Sequence, residues 1–443
     1  MSLLQRGAPR DAFAELSRFR TELYACLVRR GDALFELSDA LLCADGPVRT
    51  LVELLLEPEH RRGHGALYGG LNCGNLDVAR LRRTLAGLPL PRTASGRLVL
   101  AVDVSNWLRP DANTSPDRMF CHTYGRGRSS AQMIPGWPYS FVAAVEPGRT
   151  SWTAVLDVLR LRPWDDAIAA TADQVREVFQ RLYVAGQWRI GDPPVVVVFD
   201  AGYDVTRLAF LLADLPVELL GRMRSDRVLY FPPPPQPAGK RGRKPKHGAE
   251  FTFEDPATWP VPSITTVTDT THYGQAVAAA WDRLHPLLTR RSAWADHPTG
   301  ELPIIEGTVI RLQVDHLRGD RDPRPIWLWW SAIDATAGDV DRLWQAFLRR
   351  FDLEHTFRMF KQTLGWTTPK LREPAAADRW TWLVIAQCHE VKSSAGMSRR
   401  VRFSEASAIQ GIDQDLPEKA EAQWPSLSRA ELLTCSRLVT SVS

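Results

Sequence analysis

Two short runs constrain this chain more than any other part of it. Residues 97–103 read RLVLAVD and residues 194–200 read PVVVVFD. Each is an apolar stretch of strand length, rich in β-branched valine, that ends in an aspartate. A strand that is apolar at every position needs cover on both of its faces. Helical patterning follows each run, over residues 172–185 and 206–213. Strands alternating with helices specify a layered α/β fold. In open α/β sheets the ligand site lies outside the carboxyl ends of the strands, so Asp103 and Asp200 are expected to meet there. Two carboxylates in one place repel each other unless a cation sits between them. Oxygen-only ligands favour Mg²⁺ or Mn²⁺. The simpler alternative is that each aspartate only caps the segment after it.

A third acid lies far downstream. Residues 347–361 read FLRRFDLEHTFRMFK, in which Phe347, Arg350, Glu354 and Lys361 are spaced by three, four and seven. That spacing places them on one face of a helix. The helix is expected to run from about residue 339 to 364 and to stop at Gly365. Arg358 lies close to the same face. One acid among three cations suits a metal ligand beside bound phosphates. An ordinary surface pair of Glu354 with Arg358 is the plainer reading.

Around these elements the chain divides by pattern. Phe13, Leu16, Phe19, Leu23 and Leu27 recur at the helical period, and further helices are expected over residues 34–42, 48–56 and 76–88. Residues 224–325 interrupt the α/β alternation. They hold a stiff proline-rich run, FPPPPQP at residues 231–237, and strand-like pieces at 263–268 and 306–314. Trp259, Trp281 and Trp294 in this segment are core residues or stacking surfaces for an unpaired base. Residues 393–443 are polar and poorly patterned. The expected organisation is a helical unit over 1–92, a first core segment over 93–223, and a β-rich insertion over 224–325. A second core segment follows over 326–370, then a helix and tail over 371–443.

Composition narrows the function classes. With 44% hydrophobic and 24% charged residues, the 443-residue chain is not a disordered one. Its net charge of +4 does not announce a nucleic-acid binder. The balance is uneven, however: residues 221–250 hold eight Lys or Arg against Asp226 and Glu250. Within that arm, Lys240, Arg241, Arg243, Lys244 and Lys246 form an AT-hook-like run. An extended Arg-Gly-Arg fits the narrow minor groove of A·T-rich DNA, and a solvated basic loop is the bland alternative. Six cysteines with no Cys-x-x-Cys pair argue against zinc and against a disulfide framework. No run approaches the ~18–20 apolar residues of a membrane span, and the first ten residues lack a signal-peptide core. A soluble cytoplasmic protein is expected.

Taken together, these residues resemble the DDE-superfamily transposases of bacterial insertion sequences. The branch is the one whose glutamate helix carries a Tyr-x2-Arg-x3-Glu-x6-Lys signature. The match here is Phe347, Arg350, Glu354 and Lys361, with phenylalanine in the tyrosine position. LAVDVSNW supplies the first aspartate, VVVFDAGYD the second and DLEHTFRMFKQTLGW the glutamate, over roughly residues 95–366. The resemblance implies an α/β, ribonuclease-H-like mixed sheet flanked by helices, with Asp103, Asp200 and Glu354 as catalytic metal ligands. It implies two Mg²⁺ ions, for which Mn²⁺ can substitute, and cleavage of double-stranded DNA at element ends with 3′-OH strand transfer into target DNA. Arg350, Arg358, Lys361 and the basic arm would contact DNA. A homodimer in the DNA complex, association with the bacterial nucleoid and no membrane partner are further implications. The rival readings are an inactive or repurposed DNA-binding protein and a ribonuclease-H-like nuclease without transposition.

Overall fold

The structure, a computed structural model, describes residues 7–44, 46–124, 131–147, 150–235, 245–271, 273–295, 297, 300–316 and 323–407. The chain opens with helices α1 (Gly7–Cys26), α2 (Gly31–Cys43), α3 (His64–Cys73) and α4 (Val78–Gly87). A small antiparallel pair, β1 (Leu27–Arg29) with β2 (Asn75–Leu76), ties them together. Of the helix expected over residues 48–56, only a 3₁₀ turn at Glu53–Leu56 forms. The Val48 N–H donates to the Thr363 carbonyl instead of starting a helix. Helix α3 escaped the sequence pattern because three of its ten residues are glycines of poor helix propensity.

The two valine-rich runs lie side by side in one mixed sheet. Strands β3 (Val99–Leu108), β4 (Met119–Tyr124), β5 (Ala131–Val145) and β6 (Thr153–Arg160) come first, and helix α5 (Ala167–Val184) follows. Then come β7 (Val195–Phe199), α6 (Val205–Leu211) and β8 (Val217–Met223). Strand β3 runs parallel to β7 and β7 parallel to β8, while β5 is antiparallel to β3, β4 and β6. Alternate residues feed two separate cores. Val99, Ala101, Val196 and Val198 pack in one; Leu100, Val102, Val195, Val197 and Phe199 pack in the other. Helices α5 and α6 cover the second face through Val175, Val178, Val205 and Leu208. This is the two-sided burial that a continuous apolar strand requires.

The insertion belongs to the same sheet. A short pair, β9 (Val228–Tyr230) with β10 (Glu250–Thr252), leads into β11 (Ile264–Thr270), β12 (Gly274–Leu284) and β13 (Gly307–Val314). These extend the sheet beyond β14 (Ile326–Trp330), giving the order β11-β12-β13-β14-β8-β7-β3-β5-β4, with β6 also on β5. The tryptophans hold this extension together. Trp281 and Trp294 are buried, and Phe253 stacks on Trp327 with ring centroids 4.3 Å apart. The Trp259 indole N–H donates to the Thr252 carbonyl.

The late helix is two helices, α7 (Ala337–Arg349) and α8 (Phe351–Gln362), broken at Arg350. There the bonds tighten to Arg350 N–H with Phe347 O and Leu353 N–H with Arg350 O. A capping box of Thr336 and Asp339 starts α7, and Gly365, at φ 63°, turns the chain after α8. Helix α9 (Pro374–Ser407) then packs with α1, α2 and α3 on the first face. It runs further than the loss of periodicity after residue 386 implied. No helix among the described residues is long and apolar enough to cross a membrane.

Candidate active site

Strand β3 continues to Leu108, so Asp103 is not at a strand end. What ends beside it is the parallel ladder, whose last register pair is Val102 with Phe199. Asp200 follows Phe199 directly, so the two acids stand next to each other just past that pair. The third acid arrives on α8, which is seated on the sheet by aromatic packing. The Phe357 and Phe360 rings lie 5.0 and 6.1 Å from that of Phe141, the β5 neighbour of Asp103.

The three carboxylates converge on Arg350. Its Nη1 donates to Asp103 Oδ2 at 2.8 Å, and its Nη2 lies 3.6 Å from both Asp200 Oδ2 and Glu354 Oε1. Arg350 is only 1% exposed. Its guanidinium sits over the rings of Phe347 and Phe351, at 5.7 and 4.7 Å. Phe347, in the tyrosine position of the signature, is thus buried beneath the arginine. Burial pushes the Asp103 carboxyl up to about 6, opposed by Arg350 and by the Val104 N–H that donates to it. Lys361, 5.7 Å from the Trp366 ring, is pulled below its ordinary value by burial, with the Asp103 charge opposing.

Sequence reasoning missed Arg222. The β7–β8 register pairs Phe199 with Gly221, which sets Arg222 beside Asp200, 3.8 Å from its Oδ1. That register was not readable from spacing. Gly221 itself is a close-approach position: a Cβ there would lie 2.6 Å from Val205 Cβ, so glycine lets α6 sit against β8. From Arg222 a cavity of about 560 Å³ extends past Arg224, Arg227 and Arg291.

The remaining candidates fall in different places. Arg358 is exposed on α8, and Glu354 keeps a half-exposed side chain. Lys246 is half-buried and donates to the Leu302 carbonyl. Lys240, Arg241, Arg243 and Lys244 lie outside the described residues. Asp111, in the loop after β3, pairs with Lys370 at 2.7 Å. Asp204 caps α6 by accepting from the Arg207 N–H. In α4, Arg80 and Arg82 pair with Glu22 and Asp157.

The donor set suits a hard divalent cation. All three side chains offer carboxylate oxygen, and Asp200 Oδ1 is buried with no hydrogen-bond partner among the described residues. The spacing is another matter: among the described residues no three His, Cys, Asp or Glu side chains form a group that could hold a metal ion. The acids are spread around a guanidinium.

A family model described as DDE superfamily endonuclease matches residues 22–287. The chain belongs to the DDE superfamily endonucleases. The matched stretch covers the end of α1, helices α2–α4, both aspartates and β3–β12, and it ends before Glu354. No curated protein matches the chain. As a DDE endonuclease the protein is a nuclease of the transposase type, with DNA the implied substrate, and this superfamily typically uses divalent metals. The large mixed sheet flanked by helices is the ribonuclease-H-like architecture expected of it.

Proposed function

We propose that this DDE endonuclease is a cut-and-paste DNA transposase that cleaves element ends and joins the freed 3′-OH to target DNA. The supporting observation is the meeting of Asp103, Asp200 and Glu354, from three distant parts of the chain, around one buried position. Asp103, Asp200 and Glu354 would hold Mg²⁺, which when bound would supply the Lewis acidity that activates a water or 3′-hydroxyl and stabilises the leaving oxygen. The protein's own groups do the positioning. The Val104 N–H and Arg350 fix the Asp103 carboxylate. Arg222 beside Asp200, exposed Arg358, and Lys361 orient backbone phosphates. Lys246 and the preceding basic arm take duplex outside the reacting bond. Pairing two element ends calls for a homodimer on DNA, working at the nucleoid.

The test is incubation of the protein with Mg²⁺ and a labelled duplex carrying the ends that flank its gene. Nicked and strand-transferred products are expected. Specific binding with no nick would move the protein to the second reading, a repurposed DNA-binding protein, which the guanidinium among the acids favours. Nicking without any transfer product would leave a plain nuclease.

A further inference from the structure

The position of Arg350 carries a consequence for how the acids meet a metal. Its side chain is 2% exposed and touches all three carboxylates, at 2.8, 3.6 and 3.6 Å. Its Nε is buried without a hydrogen-bond partner among the described residues, and the two terminal nitrogens face the acids. The phenyl rings of Phe347 and Phe351 hold the guanidinium plane. The backbone also yields here: α7 ends and α8 begins at this residue. A planar fork spreads oxygen ligands along its edge. A divalent cation draws them to about 2.0–2.6 Å from one point. The same oxygens cannot satisfy both at once.

We propose that Arg350 is a built-in counter-ion which holds the three carboxylates in register in the metal-free protein and must leave that place when a divalent cation binds. This rests on the reading of the acids as metal ligands. Arg350 is then a positioning residue that competes with the metal. Its exit runs past Phe351, 39% exposed, and Glu354, 54% exposed. A backbone phosphate there is the complementary acceptor for a freed guanidinium. Metal binding and DNA binding would then reinforce each other, since each removes the cost of displacing the arginine for the other.

The experiment is calorimetric titration of Mn²⁺ into the full chain without DNA, for wild type, Arg350→Gln, Arg350→Lys and Asp200→Asn. If the guanidinium-held state dominates the free protein, its removal tightens apparent Mn²⁺ affinity by about tenfold in Arg350→Gln. Arg350→Lys falls between, because an ammonium reaches fewer of the acids, and Asp200→Asn binds more weakly than wild type. A purely structural arginine predicts the opposite sign, since loosened acids bind metal less well. A folded Arg350→Gln that binds Mn²⁺ no more tightly than wild type overturns the proposal. Should that variant not fold, Arg350→Lys decides by the same sign, with unchanged affinity overturning it. Absence of Mn²⁺ binding in every protein sinks the metal-dependent reading as well, whereas equal binding in all the Arg350 forms sinks this inference alone.

Discussion

Changing Asp200 to asparagine separates chemistry from stability. Among the described residues the Asp200 carboxylate makes no close ion pair: Arg350 Nη2 is 3.6 Å away and Arg222 Nη1 3.8 Å, and its side chain is 35% exposed. Pairs of that length and exposure contribute roughly 0–1 kcal/mol. The substitution also removes a like charge that disfavours ionisation of Asp103, which offsets part of the loss. Folding stability should therefore change by no more than about 1 kcal/mol, a Tm shift of about 2–4 °C or less. Catalysis should respond on another scale. A missing carboxylate ligand at the reacting phosphate should lower nicking by at least ~10³, equivalent to ~4 kcal/mol in the barrier. The assay pairs single-turnover nicking of a labelled duplex in Mg²⁺ with thermal unfolding and a gel-shift measurement of DNA affinity. Affinity should stay within a few-fold of wild type. Nicking within tenfold of wild type, in a variant that melts normally, would refute Asp200 as a metal ligand. A Tm loss well beyond the stated window would refute the reasoning from exposure.

Other perturbations probe the frame around the site. Gly221→Ala drives a Cβ to 2.6 Å from Val205 Cβ, so it should cost about 1–3 kcal/mol and slow nicking by shifting the Asp200–Asp204 turn; unchanged stability in urea would show that α6 can yield. Arg20 bridges Glu390 of α9 and Asp39 of α2, each at 2.6 Å. Arg20→Ala leaves a buried carboxylate unpaired and should cost about 3–5 kcal/mol, read from the denaturation midpoint. Burial pushes the Glu390 carboxyl from its ordinary 4.5 up to about 7, with Arg20 opposing. The folded protein therefore holds that proton more tightly than the unfolded chain. This group's stabilisation is full below about pH 4.5 and is lost as pH rises to about 7, by about 3 kcal/mol; Glu390→Gln should flatten that part of the profile, and an identical profile would contradict it. Neutralising Lys240, Arg241, Arg243 and Lys244 should weaken DNA binding and reduce the salt slope by up to about 0.9 for each phosphate no longer neutralised; an unchanged slope would remove the arm from the interface.

Much of the site is legible in the sequence because its parts are local. A valine run ending in aspartate states both the strand and the acid. The spacing of Arg350, Glu354 and Lys361 states a shared helical direction. The β-rich insertion is legible in its Thr and Val content over 263–268 and 306–314. Strand β12 is not, because its alanine-rich sequence, GQAVAAAWDRL, has no strong strand preference and is held by pairing with β11 and β13. The break at Arg350 is equally hidden, since helical periodicity continues across it and only the pull of the acids distinguishes that residue.

By itself the sequence determined the α/β alternation, the three candidate acids proposed as metal ligands and the presence of a concentrated basic arm, since each is a property of short segments. Tertiary structure alone decided the rest. It joined the insertion to the catalytic sheet through the β13–β14 ladder and set Arg222 beside Asp200 through the β7–β8 register. It also buried Arg350, an expected phosphate ligand, against the three carboxylates. Those outcomes depend on which distant groups become neighbours when apolar surface is buried, and a charge at a given spacing along the chain carries no information about that.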